Sequence, residues 1–164
     1  MLDGIGCLMR EGTLFSRQTL TRGEATPKDF IAVSSDQNSG RKIGWVPAGG
    51  GDKDSPFREA FNRLSDVTDG TYELIGPDVH GNPEHARVHR LVFHRSGGLL
   101  LANVPRTYQG LSGWFIGRDI EGVVFRHPDG RLAKIKGIDF GIPRRAEAPA
   151  EDWFGGMFNE WLAS

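Results

Sequence analysis

Apolar residues in this chain come in short runs broken by glycine, and few of those runs have helical spacing. Residues 5–9 and 13–17 alternate as strands do and flank Glu11-Gly12, a hairpin turn signal. A further short strand is expected at 30–33, then a polar turn at 35–41 and a Gly/Asp/Pro loop at 47–56. Phe57, Ala60, Phe61 and Leu64 fall on one helical face, so a helix is expected over 57–64. Strands are expected at 71–75, 87–94 and 98–102, and a short helix or a loop at 111–118. Strands at 122–127 and 132–135 flank Pro128-Asp129-Gly130, a second hairpin signal. The pattern predicts an α+β fold dominated by antiparallel sheets.

The end of the chain differs in composition. Residues 145–151 are rich in Ala, Pro and Glu and are expected to form a linker. Trp153, Phe154, Met157, Phe158, Trp161 and Leu162 then recur at helical spacing, which predicts an amphipathic helix. The expected organisation is a catalytic-type domain over 1–144, its N-terminus truncated, followed by linker and helix over 145–164.

Composition narrows the classes. Of 164 residues, 38% are hydrophobic and 25% charged, an ordinary globular balance. The net charge of −1 gives no global basic signature, so any nucleic-acid surface has to be local. One cysteine excludes an internal disulfide and a cysteine-rich metal site, which points to a reducing, cytoplasmic setting. No run approaches the roughly 20 apolar residues that span a bilayer, so no membrane association is expected. His80, His85, His89 and His94 do not follow zinc-ligand spacing. The Gly49-Gly50-Gly51 run lacks the Lys-Ser/Thr of a Walker phosphate loop.

Four segments carry the chemistry when taken together. They are Leu2-Asp3-Gly4 with Arg17 downstream; the Thr71-Tyr72-Glu73-Leu74-Ile75-Gly76-Pro77 run, followed by Gly81-Asn82-Pro83; Glu121-Gly122-Val123-Val124-Phe125; and Lys134-Ile135-Lys136. Lys134 and Lys136 alternate on one strand and so share a face, where two cations suit a phosphate-rich substrate. Glu121 precedes Lys134 by thirteen residues.

In order and spacing these segments resemble the covalent nucleotidyltransferase superfamily of ATP-dependent ligases and capping enzymes. Tyr72 to Pro77 with Gly81-Asn82-Pro83, Gly44-Trp45-Val46-Pro47, and Asp129-Gly130-Arg131-Leu132-Ala133-Lys134-Ile135-Lys136 are similar to the RNA ligase 1 family. The resemblance covers roughly residues 1 to 141 and implies an ATP-grasp-like adenylation domain with a central ATP cleft. It further implies ATP and Mg²⁺ as cofactors, RNA as partner, and a role in RNA repair. A ligase of this kind joins an RNA 5′-phosphate to a 3′-hydroxyl through an enzyme–AMP intermediate. It says nothing of oligomeric state.

The resemblance assigns roles by position. Asp3, Lys134 and Lys136 would serve catalysis, and Glu121 would hold the metal. Gly4, Arg17, Glu73 and Phe93 would bind the nucleotide, Phe93 by stacking on adenine and Glu73 by contact with the ribose. The family's first motif is lysine, any residue, aspartate, glycine, and here the lysine position falls on Met1. A thioether cannot carry AMP as a phosphoramidate. The expectation is therefore a late start or truncation, with a catalytically inactive nucleotide- or RNA-binding module as the alternative. A DNA ligase or capping-enzyme core is disfavoured by the Gly-Asn-Pro after the Glu73 motif.

Overall fold

The computed structural model describes residues 2–144. Met1 and the expected linker and helix over 145–164 lie outside the described residues. Eight strands form two antiparallel sheets. The larger contains β1 (Ile5–Arg10), β2 (Thr13–Leu20), β3 (Ile31–Ser35), β4 (Lys42–Pro47), β5 (Gly70–Ile75) and β6 (Arg90–Phe93), ordered β3-β4-β2-β1-β5-β6. The smaller pairs β7 (Gly122–Arg126) with β8 (Leu132–Lys136). Helices α1 (Ser55–Asn62) and α2 (Tyr108–Phe115) complete the fold, with short 3₁₀ turns at Asp52–Asp54 and Gly137–Phe140. The α+β class and its two antiparallel sheets agree with the hydrophobic pattern.

Both hairpin signals form turns. Glu11 and Gly12 take φ of 51° and 73°, the left-handed pair that a two-residue turn between twisted strands requires. The second turn closes through the Gly130 amide donating to the His127 carbonyl at 2.9 Å, with Gly130 at φ 92°. Helix α1 begins two residues before its apolar spacing does, because Pro56 fits the first helical turn.

Three expectations are corrected. Residues 98–102 form no strand: β6 stays the edge of the large sheet with nothing paired beyond it among the described residues, and Leu100 is 95% exposed. The strand expected at 87–94 shrinks to β6, because the preceding loop turns through left-handed His80, Asn82 and His85. Strand β4, not expected as one, pairs with both β2 and β3, and Gly44 allows it: a Cβ there would lie 2.4 Å from both the Ile31 carbonyl oxygen and the Phe30 ring.

Strand alternation divides the large sheet into two unlike faces. Cys7, Met9, Leu14, Tyr72, Leu74 and Leu91 face α1 and bury the main core with Phe57 and Ala60. On the other face, cross-strand pairing sets Trp45, Arg17, Gly6, Glu73 and Val92 in one row. There, among the described residues, a small cluster of Leu2, Ile75, Ala86 and Val92 is packed. A third core joins α2 to the inner face of β7–β8 through Leu111, Phe115 and Val123. Gly122, Lys134 and Lys136 therefore occupy the opposite face of that hairpin.

Candidate functional site

The site assembles where the start of β1 meets the end of β8. Gly4 donates its amide to Glu73 Oε1 at 3.1 Å. No other residue fits: a Cβ on Gly4 would lie 2.2 Å from the Leu74 carbonyl oxygen and 2.9 Å from Glu73 Cγ. Glu73 Oε2 lies 2.9 Å from His94 Nε2, and the other ring nitrogen of His94 is 3.0 Å from Thr71 Oγ. Both carboxylate oxygens of Glu73 are thus held. Arg126 of β7 donates to the His94 carbonyl, tying the hairpin to this edge of the large sheet.

Asp3 is anchored on both sides. Its amide donates to Glu84 Oε1 at 2.7 Å, and its Oδ1 lies 3.0 Å from His80 Nδ1. Asn82 closes the loop that carries these partners, accepting from the Ala86 amide at 2.8 Å and donating to its carbonyl at 3.1 Å. Left-handed φ at His80, Gly81 and Asn82 turns the loop back towards Asp3.

Lys136 forms an ion pair with Glu121. The hydrogen bond from Lys136 to Glu121 raises the lysine pKa above its ordinary value; burial opposes it, and Glu121, Asp3 and Asp139 add to the rise. Lys136 is therefore a firm cation through the neutral range, suited to binding phosphate and unsuited to act as a nucleophile. Its backbone is pinned by the Asp139 carboxylate at 2.8 Å, and Gly137 donates to the Glu121 carbonyl at 3.1 Å. A Cβ on Gly122 would lie 2.4 Å from the Ile135 carbonyl oxygen, so β7 and β8 meet closely only with glycine after Glu121.

Asp3, Gly4, Glu73, Glu121 and Lys136 are thus brought together. Lys134 is exposed one step along the same hairpin face as Lys136. Arg17 is exposed in the row of Gly6 and Glu73, its stem 3.6 Å from where a Gly6 Cβ would be. Two strand spacings, roughly 10 Å, separate its backbone from that of Glu73. Phe93 does not share that face. It pairs with Tyr72 at 4.8 Å between ring centroids and packs on the α1 core, so its stacking role does not carry over. Two cavities, about 320 and 300 Å³, lie beside α1 and at the β3–β4 edge; neither is lined by these residues.

Several neighbours were not legible as site residues in the sequence: His80, Glu84, His94, Asp119 and Arg144. His80 and Glu84 flank the Gly81-Asn82-Pro83 signal, which marks the turn and not the charges beside it. Arg144 donates to Glu84 at 2.6 Å, to Asp119 at 2.7 Å and to the Pro83 carbonyl at 2.7 Å. Burial opposes its charge, but the bonds to Glu84 and Asp119 outweigh it and raise its pKa.

As for a metal, no cluster of three or more His, Cys, Asp or Glu side chains suited to a cation occurs among the described residues. Mg²⁺ is commonly held by one or two carboxylates, waters and substrate phosphates, and Glu121 fits that pattern as a single donor.

Comparison with known proteins finds the chain related to proteins named RNA ligase 1. RNA ligase 1 of Danio rerio is 33% identical over 127 residues, covering 71% of this chain and 38% of that protein. RNA ligase 1 of Pongo abelii is 33% identical over 88 residues, covering 48% of this chain and 26% of that protein. The chain thus spans well under half the length of the curated relatives it matches. No protein-family model matches it.

Proposed function

We propose that residues 1–144 are the adenylation domain of an ATP-dependent RNA ligase. The observation that carries this is the Glu121–Lys136 ion pair set beside Asp3-Gly4, with Glu73 bonded to the Gly4 amide. Lys136 and Lys134 would neutralise the phosphates of ATP, and Arg17 would grip ribose or phosphate. Glu73 would accept from the ribose through lone pairs left free by Gly4 and His94. Glu121 would turn from Lys136 towards Mg²⁺, which when bound offsets negative charge on the phosphates. In the reaction a lysine amine attacks the α-phosphorus of ATP, a P–N bond forms and pyrophosphate leaves. The RNA 5′-phosphate then takes the AMP, and the 3′-hydroxyl displaces AMP as the phosphodiester forms.

The lysine position is held by Met1, which favours a second reading for the chain as it stands: a nucleotide- or RNA-binding module that takes ATP only non-covalently. The two are separated by placing lysine at position 1 behind a short leader and incubating the protein with labelled ATP and Mg²⁺. The ligase reading expects a protein–AMP adduct stable to denaturation, absent with Met1. A lysine version inert both to ATP and to RNA already carrying a 5′-adenylate would leave the binding module as the better account.

A further inference from the structure

Arg144 is a partly buried cation that touches none of the proposed substrate-binding groups, yet it joins the segments that carry them. Its side chain is 14% exposed, that of Glu84 5% and that of Asp119 30%. The guanidinium spends one arm on each carboxylate and a third donor on the Pro83 carbonyl, a use of the planar fork that an ammonium cannot reproduce. Glu84 Oε1 is shared: it also accepts the Asp3 amide. Asp119 stands two residues before Glu121. One covalent and hydrogen-bonded path therefore runs from Asp3 through Glu84, Arg144 and Asp119 to Glu121.

We propose that Arg144 is a positioning residue, which through Glu84 and Asp119 fixes the Asp3-Gly4 segment relative to the Glu121–Lys136 pair. Its consequence for catalysis rests on the ligase reading; its consequence for geometry does not. Without the guanidinium, Glu84 keeps the Asp3 amide but becomes a buried carboxylate lacking this cation, and Asp119 loses its bond to the arginine. Both ends of the path are then free to drift, and the groups that must converge on one nucleotide no longer hold their spacing. A cluster that only anchored the end of the domain would affect how much protein folds, not how the folded protein works.

The test compares Arg144→Ala, Arg144→Lys and Glu84→Gln in the full chain carrying lysine at position 1. The joining of 5′-adenylylated RNA is measured together with amide hydrogen exchange. Arg144→Ala is expected to lower kcat by about 10²-fold, the scale of a small misplacement of reacting groups, while leaving KM for the RNA nearly unchanged. Arg144→Lys should recover part of the loss and Glu84→Gln should fall between. Exchange should quicken at residues 2–4 and 119–121 and stay slow in β1 and β2. Unchanged kcat, or loss that follows the folded fraction with protection falling throughout, overturns the proposal. If the unsubstituted lysine version joins no RNA, the ligase reading fails by itself. The exchange pattern then decides the positioning role: selective loosening of the two segments upholds it, and uniform or absent loosening overturns it.

Discussion

At position 4 the chain approaches the Leu74 carbonyl more closely than any side chain allows, and the same approach lets the Gly4 amide reach Glu73. Gly4→Ala should therefore displace the start of β1 and cost roughly 1–3 kcal/mol, in the range of overpacked interiors, as a fall in chemical-denaturation midpoint would show. An alanine tolerated without loss would mean that the close approach is not maintained in solution. Lys136 raises a different question, one of charge. Its pKa is raised, so the stabilisation it draws from Glu121 is complete across neutral pH and is lost only as pH climbs through the shifted value. In the version with lysine at position 1, Lys136→Ala should reduce adenylylation by about 10²-fold or more, as when a group that stabilises transition-state charge is removed. An effect confined to protein stability would remove Lys136 from the proposed machinery. Lys136, Glu121 and Asp3 were named from the sequence through the family resemblance that their motifs carry together. His80, His94 and Arg144 were not, because a histidine or an arginine beside a turn has no distinguishing pattern until the turn is closed.

At the scale of elements, the loop between β5 and β6 is held by His89. Its Nδ1 lies 2.6 Å from Glu59 Oε2 on α1, and this bond holds the Glu59 carboxyl below its ordinary range. The ring fills the space beside Gly76, where a Cβ would fall 2.1 Å from His89 Cδ2. Gly76→Ala should destabilise the protein by about 1–3 kcal/mol. Adding His89→Ala should then cost less than the two single changes combined, because the clash and the contact share one space. Strict additivity in thermal or chemical melts would show that the ring and the glycine do not meet. Here the glycine after β5 has a packing reason that the sequence did not disclose. The same holds for β4, where the expected loop begins at Pro47 while pairing with β2 and β3 makes a strand that ends there. Strands with clean alternation, β1, β2, β5 and β7, were legible because one face is core and the other is open. The apolar run at residues 99–101 misled in the opposite direction: it pairs with no strand among the described residues, and Leu100 stays exposed.

For the whole molecule, the groups assigned to one nucleotide come from the two sheets and from the segment before β1, and the charge of Asp3 is felt at Lys136. That relation was legible through the family resemblance, while the bonds that enforce it, from Arg126 to His94 and from Arg144 to Glu84 and Asp119, exist only in three dimensions. The relatives extend well beyond the span matched here. The measurement that bears most directly on the account is labelling by ATP of the chain carrying lysine at position 1, in the presence of Mg²⁺. The account predicts a denaturation-stable protein–AMP adduct, absent with Met1 and strongly reduced by Glu121→Ala or Lys136→Ala. A folded lysine version that takes no AMP from ATP and joins no 5′-adenylylated RNA would contradict it.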